Sequence, residues 1–444
     1  MTKTPIHSFL EEYEKSFSVR LHMPGHKGAG DFIEKIDITE ISGADSLFEA
    51  GGIIEESERI AGEIFGADTF YSTEGSSLSI RAMLYLATLY SKSVGKTPKI
   101  AAARNAHKSF ISAAALVDFE VDWVSSKSGS YLSAMISKED VQEYFDSVKS
   151  LPSALYITSP DYLGYVSDIK SIAELCHKKG VLLLVDNAHG AYLKFLSPSR
   201  HPIDLGADLC CDSAHKTLPA LTGTAYLHVS KSAPPFFKEN AKRAMMLFAS
   251  TSPSYIMLDS LDRLNPYLNG EFPEDLQTFI CKMRGLKEAL SSSGYTFAGN
   301  EPMKITVLSK EYGYLGTELS RHLEDNGIVP EFSDSDYLVL MPSPKNTEEE
   351  LQKLFHTLSA LPKREKIPLS PPSPSFPKRA ISIREAIMSD SETLPISSCE
   401  GRIASAVTLG CPPAIPIAAP GEIIDKNTLS AFEYYGIFEC SVVK

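Results

Sequence analysis

Four short polar segments of this sequence carry side chains that could do chemistry together. Lys216 closes the run CDSAHK, and Asp186 closes the apolar run VLLLVD. His107 follows KIAAA in the segment RNAHKS, and the turn Gly75–Ser77 opens a helical pattern. A Schiff-base amine, a carboxylate for the pyridinium nitrogen, a flat ring and a helix N-terminus for the phosphate are what pyridoxal 5'-phosphate needs. This residue set therefore predicts a pyridoxal-phosphate site.

Each of these residues also has a simpler interpretation. Most lysines are solvated surface groups, and Asp186 could only cap a turn or a helix. His107 could be a hydrogen-bonded core histidine, and Ser76 and Ser77 could cap the helix that they open. The histidines could instead bind a metal, but the sequence contains neither HxH nor HExxH, so no metal site is predicted.

Alternating strands and helices would have to position these residues. The predicted fold class is α/β, with a mostly parallel sheet covered on both faces by helices. Because ligands bind beyond the carboxyl ends of parallel strands, the polar segments that follow the strands should meet at one edge. The strands are predicted at residues 99–103, 119–124, 155–158, 181–186, 209–213 and 224–230, and helices between them at 77–90 and 169–180.

The pattern along the chain changes twice, near residue 264 and after residue 362. Residues 1–264 are predicted to form an N-terminal arm and a large cofactor-binding domain, followed by a small α+β domain over 265–362. Residues 363–380 are rich in proline and serine and predict an extended linker. A C-terminal domain over 381–444 completes the predicted organisation.

Composition limits the partners and the location. The chain has 444 residues and a formal net charge of −13, which argues against binding to nucleic acid or to an anionic membrane surface. Its seven cysteines are odd in number and form no CxxC pair, so reduced thiols and a cytoplasmic location are expected. The polar N-terminus does not read as a signal peptide, and no apolar run reaches the about 18 residues of a membrane span.

The motifs together resemble the short bacterial form of the Orn/Lys/Arg decarboxylase family. That family has the aspartate-aminotransferase-like fold, fold type I of the pyridoxal-phosphate enzymes, with smaller α+β C-terminal domains. Eight segments match in chain order, although each alone would be weak. They are RLHMPGHKG (20–28), DITEISGADSL (37–47), FGADTFYSTEGSS (65–77), RNAHKS (104–109), VDNAHGA (185–191), DSAHKT (212–217), TSPSYIMLDSLD (251–262) and PPAIPIAAPGE (412–422).

The resemblance implies a role for individual positions. Lys216 would be the Schiff-base (aldimine) lysine, Asp186 would pair with the ring nitrogen, and His107 would stack on one ring face. Ala188 would pack on the other face, and His189 would contact cofactor or substrate or simply pack. The phosphate-binding residues would be Gly75, Ser76, Ser77, Ser213 and His215, with Thr251 or Ser252 reaching from a neighbouring subunit. A homodimer or larger homo-oligomer is therefore expected.

The implied activity is decarboxylation of arginine, lysine or ornithine to the corresponding amine and CO2. The alternatives are a pyridoxal-phosphate aminotransferase or lyase acting on another amino acid, and a protein without activity that keeps the fold. Three departures from the family motifs leave these alternatives open. Glu74 stands where the turn usually has asparagine, Asn187 stands in a DEAHGA-like segment, and Ala406 lacks a carboxylate that could bind a basic side chain.

Overall fold

The structure, a computed structural model, describes residues 2–16, 18–30, 33–126, 131–374, 376–406, 410–411 and 415–444. The chain divides into two compact units. The first unit comprises Met1–Lys99, Leu151–Tyr156 and Ile169–Glu274. The second unit comprises Ile100–Ser150, Ile157–Asp168 and Asp275–Lys444. Among the described residues, no helix combines the length and the apolar character that crossing a membrane requires.

Strands occur throughout the described chain. They are β1 Ala67–Ser72, β2 Lys99–Ala103, β3 Glu120–Val124, β4 Ala154–Thr158, β5 Leu182–Asp186, β6 Leu209–Asp212, β7 Ala225–Ser230, β8 Phe297–Ala298, β9 Ile305–Leu308, β10 Phe332–Ser333, β11 Tyr337–Leu340, β12 Ser391–Pro395, β13 Gly410–Cys411, β14 Ile415–Pro416 and β15 Glu439–Val443.

Helices alternate with these strands. They are α1 Pro5–Lys15, α2 Ile33–Ile36, α3 Ile53–Phe65, α4 Gly75–Ser93, α5 Lys108–Val117, α6 Lys138–Ser147, α7 Ile169–Lys178, α8 Ala214–Thr217, α9 Pro235–Met246, α10 Tyr255–Asn269, α11 Phe272–Ser292, α12 Gly316–Asp325, α13 Glu348–Ser359, α14 Ile383–Met388 and α15 Lys426–Tyr434. Short 3-10 helices lie at Ala191–Phe195, Ser309–Tyr312 and Ile396–Ser398.

The largest sheet has seven strands in the order β1-β7-β6-β5-β4-β2-β3. β5 and β6 are parallel, whereas β7 runs antiparallel to both of its neighbours, β6 and β1. β1, β5 and β6 therefore point the same way, and their last residues, Ser72, Asp186 and Asp212, lie at one edge of the sheet. The predicted α/β class is confirmed.

One strand of this sheet was not predicted from the sequence. β1 alternates buried with partly buried residues, and it contains Asp68 and Thr69. Most of the predicted strands are mainly apolar runs, as expected for strands covered on both faces, whereas the run 119–124 contains Glu120 and Asp122. β1 lies at the end of the strand order, where polar residues are common. Its sequence therefore lacks a continuous apolar run and resembles part of the turn before the next helix.

The N-terminal arm of the first unit is fixed to α10 by two carboxylates. The backbone N–H of His7 donates to Asp262 (2.9 Å), and Nδ1 of His7 lies 2.8 Å from Asp259. Ser57 Oγ donates to the other oxygen of Asp262 at 2.6 Å. Burial raises the pKa of Asp262 to about 6, against the hydrogen bonds from His7 and Ser57. The acidic residues of the segment TSPSYIMLDSLD thus hold the arm.

The second unit contains a four-stranded antiparallel sheet in the order β10-β11-β9-β8 and two small C-terminal sheets. Its most buried ion pair joins Arg104, directly after β2, to Glu422 in the PGE turn. The guanidinium donates to both carboxylate oxygens of Glu422, at 2.9 and 2.6 Å, and also lies over the ring of Trp123. Arg104 and Glu422 are 3% and 2% exposed, so the C-terminal segment is bound to β2 by a desolvated pair.

Candidate active site

The site lies where the strands of the first unit end. Asp186 is the last residue of β5, and its partner in the parallel ladder is Cys211 of β6. Lys216 follows the end of β6 in the one-turn helix α8. The first turn of α4 follows the end of β1. The amine, the carboxylate and the helix start therefore meet at one sheet edge, as parallel α/β topology requires.

Lys216 is half-buried and has a histidine partner. Its Nζ lies 2.9 Å from Nε2 of His189, which comes from the loop after β5. His189 is 7% exposed. The predicted role of His189 toward cofactor or substrate stays a prediction. The two nitrogens are within hydrogen-bond distance of each other, and acid–base chemistry uses such pairs.

Asp186 is a buried carboxylate whose oxygens both accept hydrogen bonds. Tyr156 Oη donates to Oδ2 at 2.9 Å, and the backbone N–H of Ala188 donates to Oδ1 at 3.1 Å. The thiol of Cys211 lies 3.6 Å from Oδ1. Hydrogen bonds to the charged form of a carboxylate favour that form despite burial. Neither Tyr156 nor Cys211 was predicted from the sequence.

The start of α4 carries the residues predicted to bind the phosphate. Gly75 has φ of +69°, a conformation that favours glycine. Its N–H donates to the carbonyl of Gly223 at 2.7 Å, which fixes the turn. Ser213 Oγ donates to Ser76 Oγ at 2.9 Å, so two hydroxyls lie beside the helix N-terminus. Glu74 at the N-cap makes no side-chain hydrogen bond to the first turn.

These residues fit pyridoxal phosphate by the chemistry of their donors. The amine of Lys216, the carboxylate of Asp186 and the start of α4 match the aldehyde, the ring nitrogen and the phosphate. Two buried polar atoms beside them, Oδ1 of Asn187 and Oγ1 of Thr217, have no hydrogen-bond partner among the described residues. Unfilled hydrogen-bonding capacity next to Asp186 and Lys216 is what a polar ligand would satisfy.

Other predicted residues lie around this centre. His215 is half-buried, and its Nδ1 donates to the carbonyl of Thr224 at 2.8 Å. Thr251 and Ser252 are exposed, and the preceding Ser250 donates its N–H to Glu74 at 2.6 Å. The unusual Glu74 therefore binds the 250–252 segment. The predicted phosphate roles of these residues stay predictions.

His107 belongs to the second unit and is described there by itself. It is the N-cap of α5, and its Nδ1 accepts the backbone N–H of Ser109 at 3.2 Å. The ring is half-buried. This contact fixes the orientation of the ring, and the predicted stacking on the cofactor stays a prediction.

Asp212 organises a buried polar cluster behind Lys216. Its Oδ2 accepts from Nε2 of His201 (3.0 Å) and of His228 (3.2 Å). Its Oδ1 accepts from Asn187 Nδ2 at 2.7 Å. A glutamate at position 187, as in the usual family motif, would bring a second carboxylate against Asp212. The departure at Asn187 therefore has a physical reason, since an amide donates where a carboxylate would repel.

The same cluster contains the potential metal ligands of the described chain. Atoms of His201, Cys210 and Asp212 lie within 4.8 Å of one another, and all three residues are buried. Burial, with the charge of Asp212, raises the pKa of the Cys210 thiol well above its usual value, so the thiol is a poor ligand. The cluster is instead held by the hydrogen bonds that Asp212 accepts.

We expect Asp212→Asn to lower the free energy of unfolding by roughly 2–3 kcal/mol, because hydrogen bonds to a charged acceptor become bonds to a neutral one. Burial alone would raise the pKa of Asp212, but His201 and His228 hold it well below the usual 3.8. A lowered carboxyl pKa stabilises the fold above the unfolded-state value and less as the pH falls.

The difference between wild type and Asp212→Asn should therefore shrink as the pH falls below about 4, where the carboxyl group of the unfolded chain becomes protonated. Urea unfolding at several pH values in this acidic range measures it, with the exposed Asp325→Asn as control. A difference that grew as the pH fell through this range would contradict the assignment.

Comparisons with known proteins agree with this geometry. Residues 4–306 match the family model described as the Orn/Lys/Arg decarboxylase major domain, and residues 372–442 match that family's C-terminal domain. An arginine decarboxylase of Halalkalibacterium halodurans is 31% identical over 96% of this chain and 92% of that protein.

Solved structures show the same fold. The constitutive lysine decarboxylase of Escherichia coli superposes with a TM-score of 0.79 at 17% identity, over all of this chain and 82% of that one. A serine palmitoyltransferase of Sphingomonas wittichii gives 0.55 at 14% identity, over 81% and 83%. The predicted type I fold and the predicted enzyme class, an amino-acid decarboxylase, are both confirmed. The chain belongs to the Orn/Lys/Arg decarboxylase family.

Proposed function

We propose that this protein decarboxylates a basic amino acid with pyridoxal phosphate, with arginine as the first candidate substrate. The observation that carries the proposal is the meeting of Lys216, Asp186 and the first turn of α4 at one sheet edge. The arginine decarboxylase relative supports arginine. Lysine and ornithine remain in the substrate class of the family.

The cofactor-binding residues follow from the geometry and the resemblance. Lys216 would bond to the cofactor aldehyde, Asp186 would pair with the ring nitrogen, and His107 and Ala188 would cover the two ring faces. His189 would act with Lys216. The phosphate would be bound by Gly75, Ser76, Ser77, Ser213 and His215, and by Thr251 or Ser252 of a second subunit.

The chain's own residues orient the substrate and move the proton. When bound, pyridoxal phosphate supplies an electron sink for the electron pair that departing CO2 leaves on Cα. Asp186 would present its carboxylate to the ring nitrogen, and its hydrogen bonds fix its orientation. We assign delivery of the proton to Cα to the Lys216–His189 pair, whose nitrogens are 2.9 Å apart. The buried ends of β5 and β6 exclude water, which strengthens these electrostatic interactions.

The predicted organisation belongs to the same proposal. It comprises residues 1–264 as arm and cofactor-binding domain, 265–362 as small domain, 363–380 as linker and 381–444 as C-terminal domain. A cytoplasmic homodimer is proposed with it. The exposure of Thr251 and Ser252 supports the dimer, because residues that serve a neighbouring subunit must be exposed in one chain.

Carbon dioxide release tests the proposal. Cofactor-loaded protein is given carboxyl-labelled arginine, lysine and ornithine in separate reactions, and the labelled CO2 and the amine product are measured. We expect release from one of the three, with the matching amine in equal amount. A protein that holds the cofactor but releases CO2 from none would favour an aminotransferase or another lyase instead.

A further inference from the structure

The hydrogen bonds around Asp186 differ between its two oxygens. Oδ1 accepts from the backbone of Ala188 and from the Cys211 thiol, whereas Oδ2 accepts from Tyr156. A carboxylate oxygen accepts about two hydrogen bonds. The remaining acceptor capacity is therefore on Oδ2, the oxygen that Tyr156 holds.

The donors reach Asp186 from both neighbouring strands. Tyr156 extends from β4 and Cys211 from β6, and β5 lies between these strands. Tyr156 and Cys211 are 0% exposed and Asp186 is 2% exposed. Bulk water is thus absent from the carboxylate, and each donor matters more than it would at the surface.

The donors to Asp186 in the described part of the chain are neutral groups. Burial, and after it the charge of Asp186, raises the pKa of the Cys211 thiol well above its usual value, so this thiol stays protonated and donates. A thiol is a weak donor, whereas a phenol is a strong one. Tyr156 therefore supplies the main side-chain hydrogen bond to Asp186 among the described residues.

We infer that Tyr156 is a positioning residue for the reaction, holding Oδ2 of Asp186 aimed at the cofactor's ring nitrogen, with Cys211 as a weaker second support. The inference rests on the proposed function, since it assumes that Asp186 pairs with pyridoxal phosphate. Beyond the proposed function, the inference names Tyr156 as the residue that controls how strongly Asp186 binds the ring nitrogen.

The sequence offers a matched control for this tyrosine. Tyr226 lies on β7 of the same sheet and is likewise 0% exposed. Its hydroxyl has no hydrogen-bond partner among the described residues. Phenylalanine at either position removes one buried hydroxyl and leaves the ring, so the two variants differ in the loss of the bond to Asp186.

The test measures the affinity of the full-length protein for pyridoxal phosphate, after cofactor removal, by titration of absorbance and fluorescence. We expect Tyr156→Phe to weaken binding about tenfold, the factor typical of a hydrogen bond to a charged group. Its kcat should fall with KM unchanged. Tyr226→Phe should match wild type in affinity, kcat and KM.

The outcomes separate the two proposals. Equal affinity and equal kcat in Tyr156→Phe and Tyr226→Phe would overturn the role of Tyr156 and leave the proposed function standing. A wild type that does not bind the cofactor would overturn both. If Tyr156→Phe does not fold, Cys211→Ala takes its place, with the buried Cys176→Ala as its control. Cys211→Ala should lose two- to threefold in affinity, about what a weak donor supplies. Equal affinity in these two variants would overturn the role of the side-chain donors to Asp186.

Discussion

Lys216→Ala should release CO2 from the preferred amino acid at least about 10³-fold more slowly than wild type, because loss of a covalent catalytic group is not compensated by binding alone. No other described lysine comes from the end of a parallel strand beside Asp186 and the start of α4. The amine is also one half of the pair with His189, so the variant loses the covalent group and a proton carrier together.

Borohydride reduction gives a second readout for Lys216. Reduction followed by peptide mass spectrometry should find the cofactor's mass on the peptide that contains residue 216 in wild type, and on no peptide of Lys216→Ala. Lys231→Ala is the matched control, because Lys231 is exposed and follows β7 at the opposite edge of the sheet. Retention of the label by Lys216→Ala on another lysine would contradict the assignment.

The second large effect concerns stability. Glu422→Gln should lower the free energy of unfolding by about 3–5 kcal/mol, because it leaves the buried guanidinium of Arg104 without its counter-charge. Arg104 also donates to the carbonyl of Ile417 at 3.1 Å, and this single bond cannot neutralise the charge. Loss of the pair should release the C-terminal segment from the residues that precede His107.

Urea unfolding of the full chain measures this loss, followed by far-UV circular dichroism. Glu400→Gln is the control, since Glu400 is exposed and should shift the midpoint little. Midpoints that agree between the two variants would show that the Arg104–Glu422 pair contributes nothing to the fold.

The centre of the site was readable from the sequence because strand ends carry local signals. Asp186 and Lys216 follow apolar runs, and parallel topology brings such ends together. Tyr156 and Cys211 carry no such signal. Tyr156 is 30 residues from Asp186 and Cys211 is 25, and their contacts depend on the strand order and the register. The strand order and the register cannot be obtained from one apolar run.

Long-range pairs were hidden for the same reason. Arg104 and Glu422 are 318 residues apart, and no local pattern in the sequence pairs the PGE turn with the residue that follows β2. Asn187 was recognised as a departure from the family motif, but its reason required Asp212 and the two histidines. A sequence pattern shows which residue departs from a family motif, whereas the partner that explains the departure is found only in the three-dimensional structure.

The antiparallel β7 also limits how this enzyme can be redesigned. The carbonyl of Gly223, just before β7, accepts from Gly75, and that of Thr224 accepts from His215. Two successive carbonyls thus fix the turn at Gly75 and the turn at His215 to each other. One residue inserted between positions 218 and 222 would shift the carbonyls of Gly223 and Thr224 relative to Lys216. Libraries that diversify substrate choice should therefore vary side chains here and conserve the length of the loop.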